Sequence, residues 1–440
     1  MQVWNLKKGE DRRLRSQHPW VFSNELIGSP KGVQPGEPVE VRDFKGHFVA
    51  RGYGNPHSLI SFRALSFDSK IENPASVDYF VTKLLIAWTA RYQMGLKNSF
   101  RLCFSEADGL PGIIVDLYEV AQTTNINSSK AQVFCFQSLT AGVEKVLMPD
   151  PLVLFKKLTE AAFEKGLTSY NWDQTMVVSR NDVNIRKLEG LDVPKAQILK
   201  TNQDWDLQNI SILIESLSEK PLPMSVDLVE GQKTGFFLDQ SFNIRLLGQL
   251  LQKTKWNLEE KTQKVIRILD LCCYMGQWGA LLADALILKG YKVEVTLVDV
   301  SEKALICAQK NVERTGAQVI ALKKDVLEHL GDLPSAHYDI VIADPPAFIK
   351  ARKDIPLGKH AYLKLNTQAF RVVKPDGGWV ASCSCSGLLT EEDFKEVISK
   401  AMIRNGRSGR MVLHGGHAPD HPTVMNFSEG FYLKMFVNFV

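Results

Sequence analysis

Two thiols stand two residues apart in Ala381-Ser382-Cys383-Ser384-Cys385-Ser386-Gly387, between a strand-like run, Gly378-Trp379-Val380, and a helix-like one starting at Thr390. An ionised thiol is a nucleophile, and the C-terminal end of a strand in an α/β domain lies on the edge where such sheets take ligands. Metal binding and simple packing are the other uses of such a pair. With Cys272 and Cys273 four sulfurs are available, but Cys-Cys and Cys-x-Cys spacings suit tetrahedral zinc poorly, and no metal is expected. Cys103, Cys135 and Cys307 sit in apolar or helical runs and are expected to pack.

A second chemical feature lies upstream. The apolar strand Val265-Ile266-Arg267-Ile268-Leu269-Asp270-Leu271 runs through Cys272-Cys273 into Tyr274-Met275-Gly276-Gln277-Trp278-Gly279, and Asp299 closes the next strand. A glycine turn before a helix lets backbone approach a ligand, and an acid at the second strand end can accept from both ribose hydroxyls. The first glycine of the dinucleotide pattern is missing, and both features fit any adenosine cofactor. A nicotinamide dehydrogenase and a methyltransferase are level at this point. Asp344-Pro345-Pro346-Ala347-Phe348 separates them. Consecutive prolines fix a rigid extended turn that presents an acid and an aromatic ring at the ligand edge. That suits a planar base stacked on Phe348, the bland alternative being a stiff loop with a packed ring.

The elements that must position these groups follow from periodicity. From about residue 226 the chain reads as a β-hairpin over Gly231–Gln240, a helix from Ser241, then strand-helix alternation through 440, which predicts a doubly wound sheet. Residues 74–190 read as a small α+β connector. Its helix from Val77 presents Phe80, Leu84, Leu85, Trp88 and Tyr92 on one face, and its Ser105-Glu106-Ala107-Asp108-Gly109-Leu110-Pro111-Gly112 run reads as a hairpin turn with solvated carboxylates. Residues 1–73 show short alternating strands between turn clusters, as in a small barrel, with Arg12, Arg13 and Arg15 before Trp20 and Phe22. That mixture suits RNA, although a solvated basic face beside a buried aromatic pair is the simpler reading. The expected class is multidomain: a β-barrel-like front, an α+β middle, and an α/β Rossmann-like domain over 191–440.

Composition is compatible with this. The chain has 440 residues, 45% hydrophobic and 23% charged, with net charge +4 and seven cysteines in no framework spacing. These values, with no membrane-length apolar run and no signal-like start, point to the cytoplasm, and the modest positive charge permits a polyanionic partner.

Several runs together resemble one family. Ser16–Ser23 with Gly36–Val41 looks like a PUA domain, and Asp344-Pro345-Pro346 with Phe348 resembles the base-binding motif of class I S-adenosylmethionine-dependent nucleic-acid methyltransferases. Gln232–Gln240, Ser384–Leu388, Asp420-His421-Pro422 and Glu429–Lys434 are similar to runs of the ribosomal RNA large subunit methyltransferase I family, across nearly the whole chain. That resemblance implies S-adenosylmethionine as cofactor and 5-methylcytidine in 23S ribosomal RNA as product. It implies 23S ribosomal RNA or a large-subunit assembly intermediate as partner, no membrane, and leaves room for a homodimer. It implies Cys385 as nucleophile and Asp344 as the group on the base's polar edge, with Pro345, Pro346 and Phe348 at the base. Around the cofactor it implies Asp270 as a further contact, Tyr274, Gly276 and Gly279 of the turn on the methionine portion, Asp299 on ribose, Asp325 on the adenine amine, and Phe237 and Gln240 closing over it.

Two departures stand out: Gln277-Trp278 where relatives usually have Gly-Phe, with Trp278 expected to crowd the turn, and Ala347 where they often carry Lys. The competing readings are a guanine methyltransferase, which needs no thiol, and an RNA-binding relative without catalysis.

Overall fold

The computed structural model describes residues 1–122, 130–202, 205–218, 220–256 and 265–440. Contacts divide the chain into two units. One holds Met1–Leu213, Asp227–Leu238 and Pro419–Gly430, and the other Ile214–Val226, Asp239–Ala418 and Phe431–Val440. Among the described residues no helix is long and apolar enough to cross a membrane.

The first unit begins with β1 (Gln2–Asn5), a short α1 (Arg12–Arg15), β2 (Trp20–Phe22), β3 (Glu37–Arg42), β4 (Phe48–Gly54) and β5 (Ile60–Ser66). They form one sheet in the order β1-β3-β4-β5-β2. Alternation puts Trp4, Val21, Val39, Val41, Val49 and Phe62 into a single core. Register shifts on the β2–β5, β3–β4 and β4–β5 pairs bend the sheet towards a barrel. Gly52 permits one such approach, since a Cβ there would stand 1.9 Å from the Arg63 carbonyl oxygen.

The same unit continues with α2 (Val77–Gln93), β6 (Phe100–Phe104), β7 (Ile113–Ala121), β8 (Lys130–Ser138), α3 (Ala141–Leu147), α4 (Pro151–Glu164), β9 (Thr175–Ser179), β10 (Gln197–Lys200) and β11 (Ile210–Ile214). Strands run β10-β9-β8-β7-β11, with β6 also on β7. Phe80, Leu84 and Trp88 of α2 pack with Phe134 and Phe155 as their spacing predicts. Tyr92, expected on that face, is 57% exposed. Its neighbour Arg91 turns inward instead, clamped by both oxygens of Asp108 at 2.6 and 2.8 Å. Neither acid of the turn is free in solvent: Asp108 holds Arg91, and Glu106 accepts from the Trp20 indole at 2.9 Å.

The second unit holds β12 (Leu222–Val226) and α5 (Ser241–Lys253). The hairpin expected before α5 does not form. Residues 227–240 carry no strand, because the Asp227 carboxylate accepts from the Val229 and Glu230 amides at 3.0 and 2.7 Å and turns the chain at once. Then come β13 (Val265–Leu271), α6 (Gln277–Ile287), β14 (Lys292–Asp299), α7 (Glu302–Glu313), β15 (Gln318–Lys323), β16 (Ile340–Ala343), α8 (Ile355–Val372), β17 (Trp379–Ser384), α9 (Glu391–Arg404), β18 (Arg410–Gly415) and β19 (Lys434–Phe439). The sheet order is β15-β14-β13-β16-β17-β19-β18. The first five strands are parallel, and β19 is antiparallel to both neighbours. Strand order reverses at β13, so the ends of β13, β14, β16 and β17 frame the ligand edge of a Rossmann-like sheet.

Candidate active site

At the end of β13 the backbone does most of the shaping. Cys272 and Tyr274 adopt φ of 63° and 47°, and Gly276, at φ 73°, caps α6. Two non-glycine residues in the left-handed region mark a held, strained turn. It is held by Asp299, whose carboxylate accepts from the Tyr274 amide at 3.0 Å and the Ser301 amide at 2.9 Å. Asp325, after β15, accepts from the Leu327 amide at 2.7 Å. Asp270 is fully buried: one oxygen takes the Gly279 amide at 3.0 Å and the other has no hydrogen-bond partner among the described residues. Burial, assisted by Asp344 and Asp299, pushes its carboxyl up to about 7. Gly279 leaves no room for a side chain, since a Cβ would meet Val295 at 3.0 Å and Asp270 at 3.3 Å.

This edge fits S-adenosylmethionine. It carries an unsatisfied buried oxygen on Asp270, a glycine cradle at a helix start, and acids at successive strand ends. A cationic sulfonium and ammonium suit that acidic surround, whereas the pyrophosphate of a dinucleotide would be repelled. Gln240 belongs to this second unit. Phe237 belongs to the first, half-buried, with the Lys233 ammonium 4.3 Å from its ring.

At the ends of β16 and β17, side chains do the positioning. Both oxygens of Asp344 accept from the Gln240 amide at 2.9 Å, and one also takes the Trp278 indole N–H at 2.9 Å. Asn243 donates to the Gln240 oxygen at 2.7 Å, which sets which way the amide points. Trp278 is thus packed beneath the turn as a donor to Asp344. On β17 and just beyond its end, Ser382, Ser384 and Ser386 are buried, and the hydroxyl of each is bonded. Ser382 donates to Asn366 at 2.5 Å, Ser384 donates to the Tyr362 hydroxyl at 3.0 Å, and that hydroxyl lies 2.9 Å from Ser386. Ser386 also accepts from the Ile349 amide at 3.1 Å, tying the proline loop to the thiol loop.

The two thiols therefore differ. Cys383 is 1% exposed, and burial pushes it well above the usual thiol range. Cys385 is half-buried, with its sulfur 3.9 Å from the Pro345 carbonyl oxygen. Pro345 is buried, Pro346 exposed, and Phe348 half-buried with its ring edge-on to Tyr362 at 4.8 Å. The structure thus brings Cys385, Asp344 and the Pro-Pro turn to one edge. Sequence reading missed Tyr362, Asn243 and the donor role of Trp278, because a polar aromatic in a helix or an asparagine facing inward carries no motif.

In the first unit, the basic start is largely neutralised. Arg13 pairs with Glu25 at 3.2 Å, and Arg15 with Asp11 and Asp43 at 2.6 and 2.9 Å. Trp20 packs edge-on against Phe427 at 4.8 Å.

Comparison with known proteins agrees with this architecture. Residues 5–67 match the model of a PUA-like domain, and residues 246–401 that of a methyltransferase small domain. A solved Streptococcus mutans chain assigned as an S-adenosylmethionine-dependent methyltransferase aligns over 100% of both chains at TM-score 0.69 and 16% identity. A methyltransferase-assigned structure complexed with SAH aligns over the same extent at TM-score 0.71 and 17% identity, a likeness of fold. Fold and site together define an S-adenosylmethionine-dependent methyltransferase with a PUA-like domain in front. Ribosomal RNA large subunit methyltransferase I of Vibrio cholerae is 32% identical over 98% of this chain and 97% of its own. That of Photobacterium profundum is 32% identical over 99% and 98%. The chain belongs to the ribosomal RNA large subunit methyltransferase I family.

Proposed function

We propose that this enzyme methylates carbon 5 of a cytosine in 23S ribosomal RNA, in the cytoplasm, through a covalent adduct with Cys385. The observation that carries this reading is the half-buried Cys385 with its sulfur beside the Pro345 carbonyl, at the turn suited to a planar base. Carbon 5 of cytosine is too weak a nucleophile to attack a sulfonium methyl unaided. The Cys385 thiolate adds to carbon 6, the 5,6 double bond opens, and electron density moves to carbon 5. S-adenosylmethionine, when bound, supplies the electrophilic methyl group for that carbon. A base then removes the carbon-5 proton, the carbon–sulfur bond breaks, and the ring double bond and free thiolate return.

Asp344, held by Gln240 and Trp278, presents its carboxylate to the base's polar edge, with Pro345, Pro346 and Phe348 shaping the base pocket. Asp299 takes the ribose, Asp325 the adenine amine, and the turn from Tyr274 to Gly279, with Asp270 beneath it, the methionine portion. Gln240 closes that site. Residues 1–73 act as the RNA-binding front, 74–190 as a spacer, and 191–440 as the catalytic part.

The test is a covalent trap with 5-fluorocytidine-containing large-subunit RNA, paired with nucleoside analysis after labelled methyl transfer. Cys385→Ala should abolish the adduct and Cys383→Ala retain it, with label in 5-methylcytidine. Label recovered only in a methylguanosine would sink the reading.

A further inference from the structure

A thiol attacks pyrimidine only as thiolate, so something near Cys385 must favour the anion. The helix that follows is a poor source. The side chain of Thr390 caps α9, but Glu391, Glu392 and Asp393 fill its first turn and oppose a further negative charge.

Lys434 is different. It opens β19 opposite Ser384 and is 6% exposed. Its ammonium donates to the carbonyl of Ser386, the residue after the thiol, at 3.0 Å and to that of Tyr432 at 2.9 Å. Among the described residues it forms no ion pair with a carboxylate. Two neutral carbonyls satisfy hydrogen bonds but leave a buried charge uncompensated, which is costly. Burial accordingly pulls the lysine down from its usual range, while the charges of Cys385 and Glu391 push it back up. Glu391 is shared, pairing with His414 at 3.3 Å and Lys395 at 3.6 Å. Other titratable groups on this edge include the Tyr362 phenol and the Cys383 thiol, both of which burial keeps neutral, and Asp344, which is already bonded to Gln240 and Trp278.

We propose that Lys434 is the positioning residue for the nucleophile: its buried ammonium, anchored on the Ser386 and Tyr432 carbonyls, holds Cys385 as the thiolate that attacks the pyrimidine. The role in attack rests on the cytosine reading above, whereas the pairing of charges does not.

The experiment compares the full-length protein with Lys434→Met and Lys434→Arg. Iodoacetamide labelling of the Cys385 peptide is followed by mass spectrometry across pH, and S-adenosylmethionine affinity is measured by calorimetry. Lys434→Met should raise the Cys385 labelling midpoint by about one pH unit and slow labelling about tenfold at neutral pH. Lys434→Arg should stay near the wild-type profile, and cofactor affinity should hold in both. An unchanged midpoint in folded Lys434→Met overturns the proposal. If that variant does not fold, the coupling is read in reverse by nitrogen-15 lysine NMR. Cys385→Ser should lower the Lys434 titration midpoint, and an unmoved midpoint again overturns the proposal. A midpoint shift in a protein that forms no 5-fluorocytidine adduct would keep the charge pairing and reject the cytosine reading. An adduct without the shift would do the opposite.

Discussion

The ligand edge of the second unit has two halves built by different means. At the β13–β14 end, backbone amides carry the load: Tyr274 and Ser301 on Asp299, Gly279 on Asp270, Leu327 on Asp325. At the β16–β17 end, side chains hold side chains: Gln240 and Trp278 on Asp344, Tyr362 between Ser384 and Ser386. A backbone-built half can keep its shape while side chains around it vary, provided the turn keeps its positive-φ positions. A side-chain network is sensitive to single-atom changes, because each removed hydroxyl or indole leaves a buried partner unsatisfied. Substitutions in the first half should therefore act on cofactor affinity, and those in the second on turnover.

The largest effect tests the side-chain half at its reacting atom. Cys385→Ala should lower turnover by about 10³-fold or more with cofactor affinity unchanged by calorimetry, since the nucleophile is lost but no cofactor group is. Trp278→Phe keeps the ring and removes one donor to Asp344. It should cost about 10- to 100-fold in turnover, the value of a hydrogen bond to a charged group, and a loss confined to cofactor affinity would break the division. Asp299→Ala should weaken S-adenosylmethionine binding about tenfold and leave turnover at saturating cofactor within a few-fold. The smallest effect is on stability. The Asp270 carboxyl sits at about 7 in the folded protein. Its protonated form is favoured by folding, so its contribution is complete below the ordinary carboxylate range and is lost as pH rises through about 7. Asp270→Asn should remove that dependence. Thermal unfolding of the variant relative to wild type should gain steadily with pH between about 4 and 7. A constant gap across that window would contradict the burial of this charge.

Much of the site could be read directly from the chain. The glycines at 276 and 279, the acids closing successive apolar runs, and Asp344-Pro345-Pro346 are local signals, because strand ends and turns are specified by neighbouring residues. The 227–240 segment was misread as a hairpin because its alternation resembles strand, while a single Asx turn at Asp227 overrides it. Asp108 reads as a solvated turn acid because charge is usually at the surface, yet it and Arg91 bury each other.

Residue order alone determined which groups are available: a strand-helix alternation with two thiols, an acid-proline-proline turn and a glycine turn at its loops. Tertiary structure alone decided which thiol is accessible, that Trp278 donates to Asp344, and that Lys434 lies beneath the thiol loop. Those depend on β19 returning antiparallel beside β17 and on α8 presenting Tyr362 to the strand's inner face. Burial and charge pairing are set by residues distant in sequence, so no local pattern encodes them.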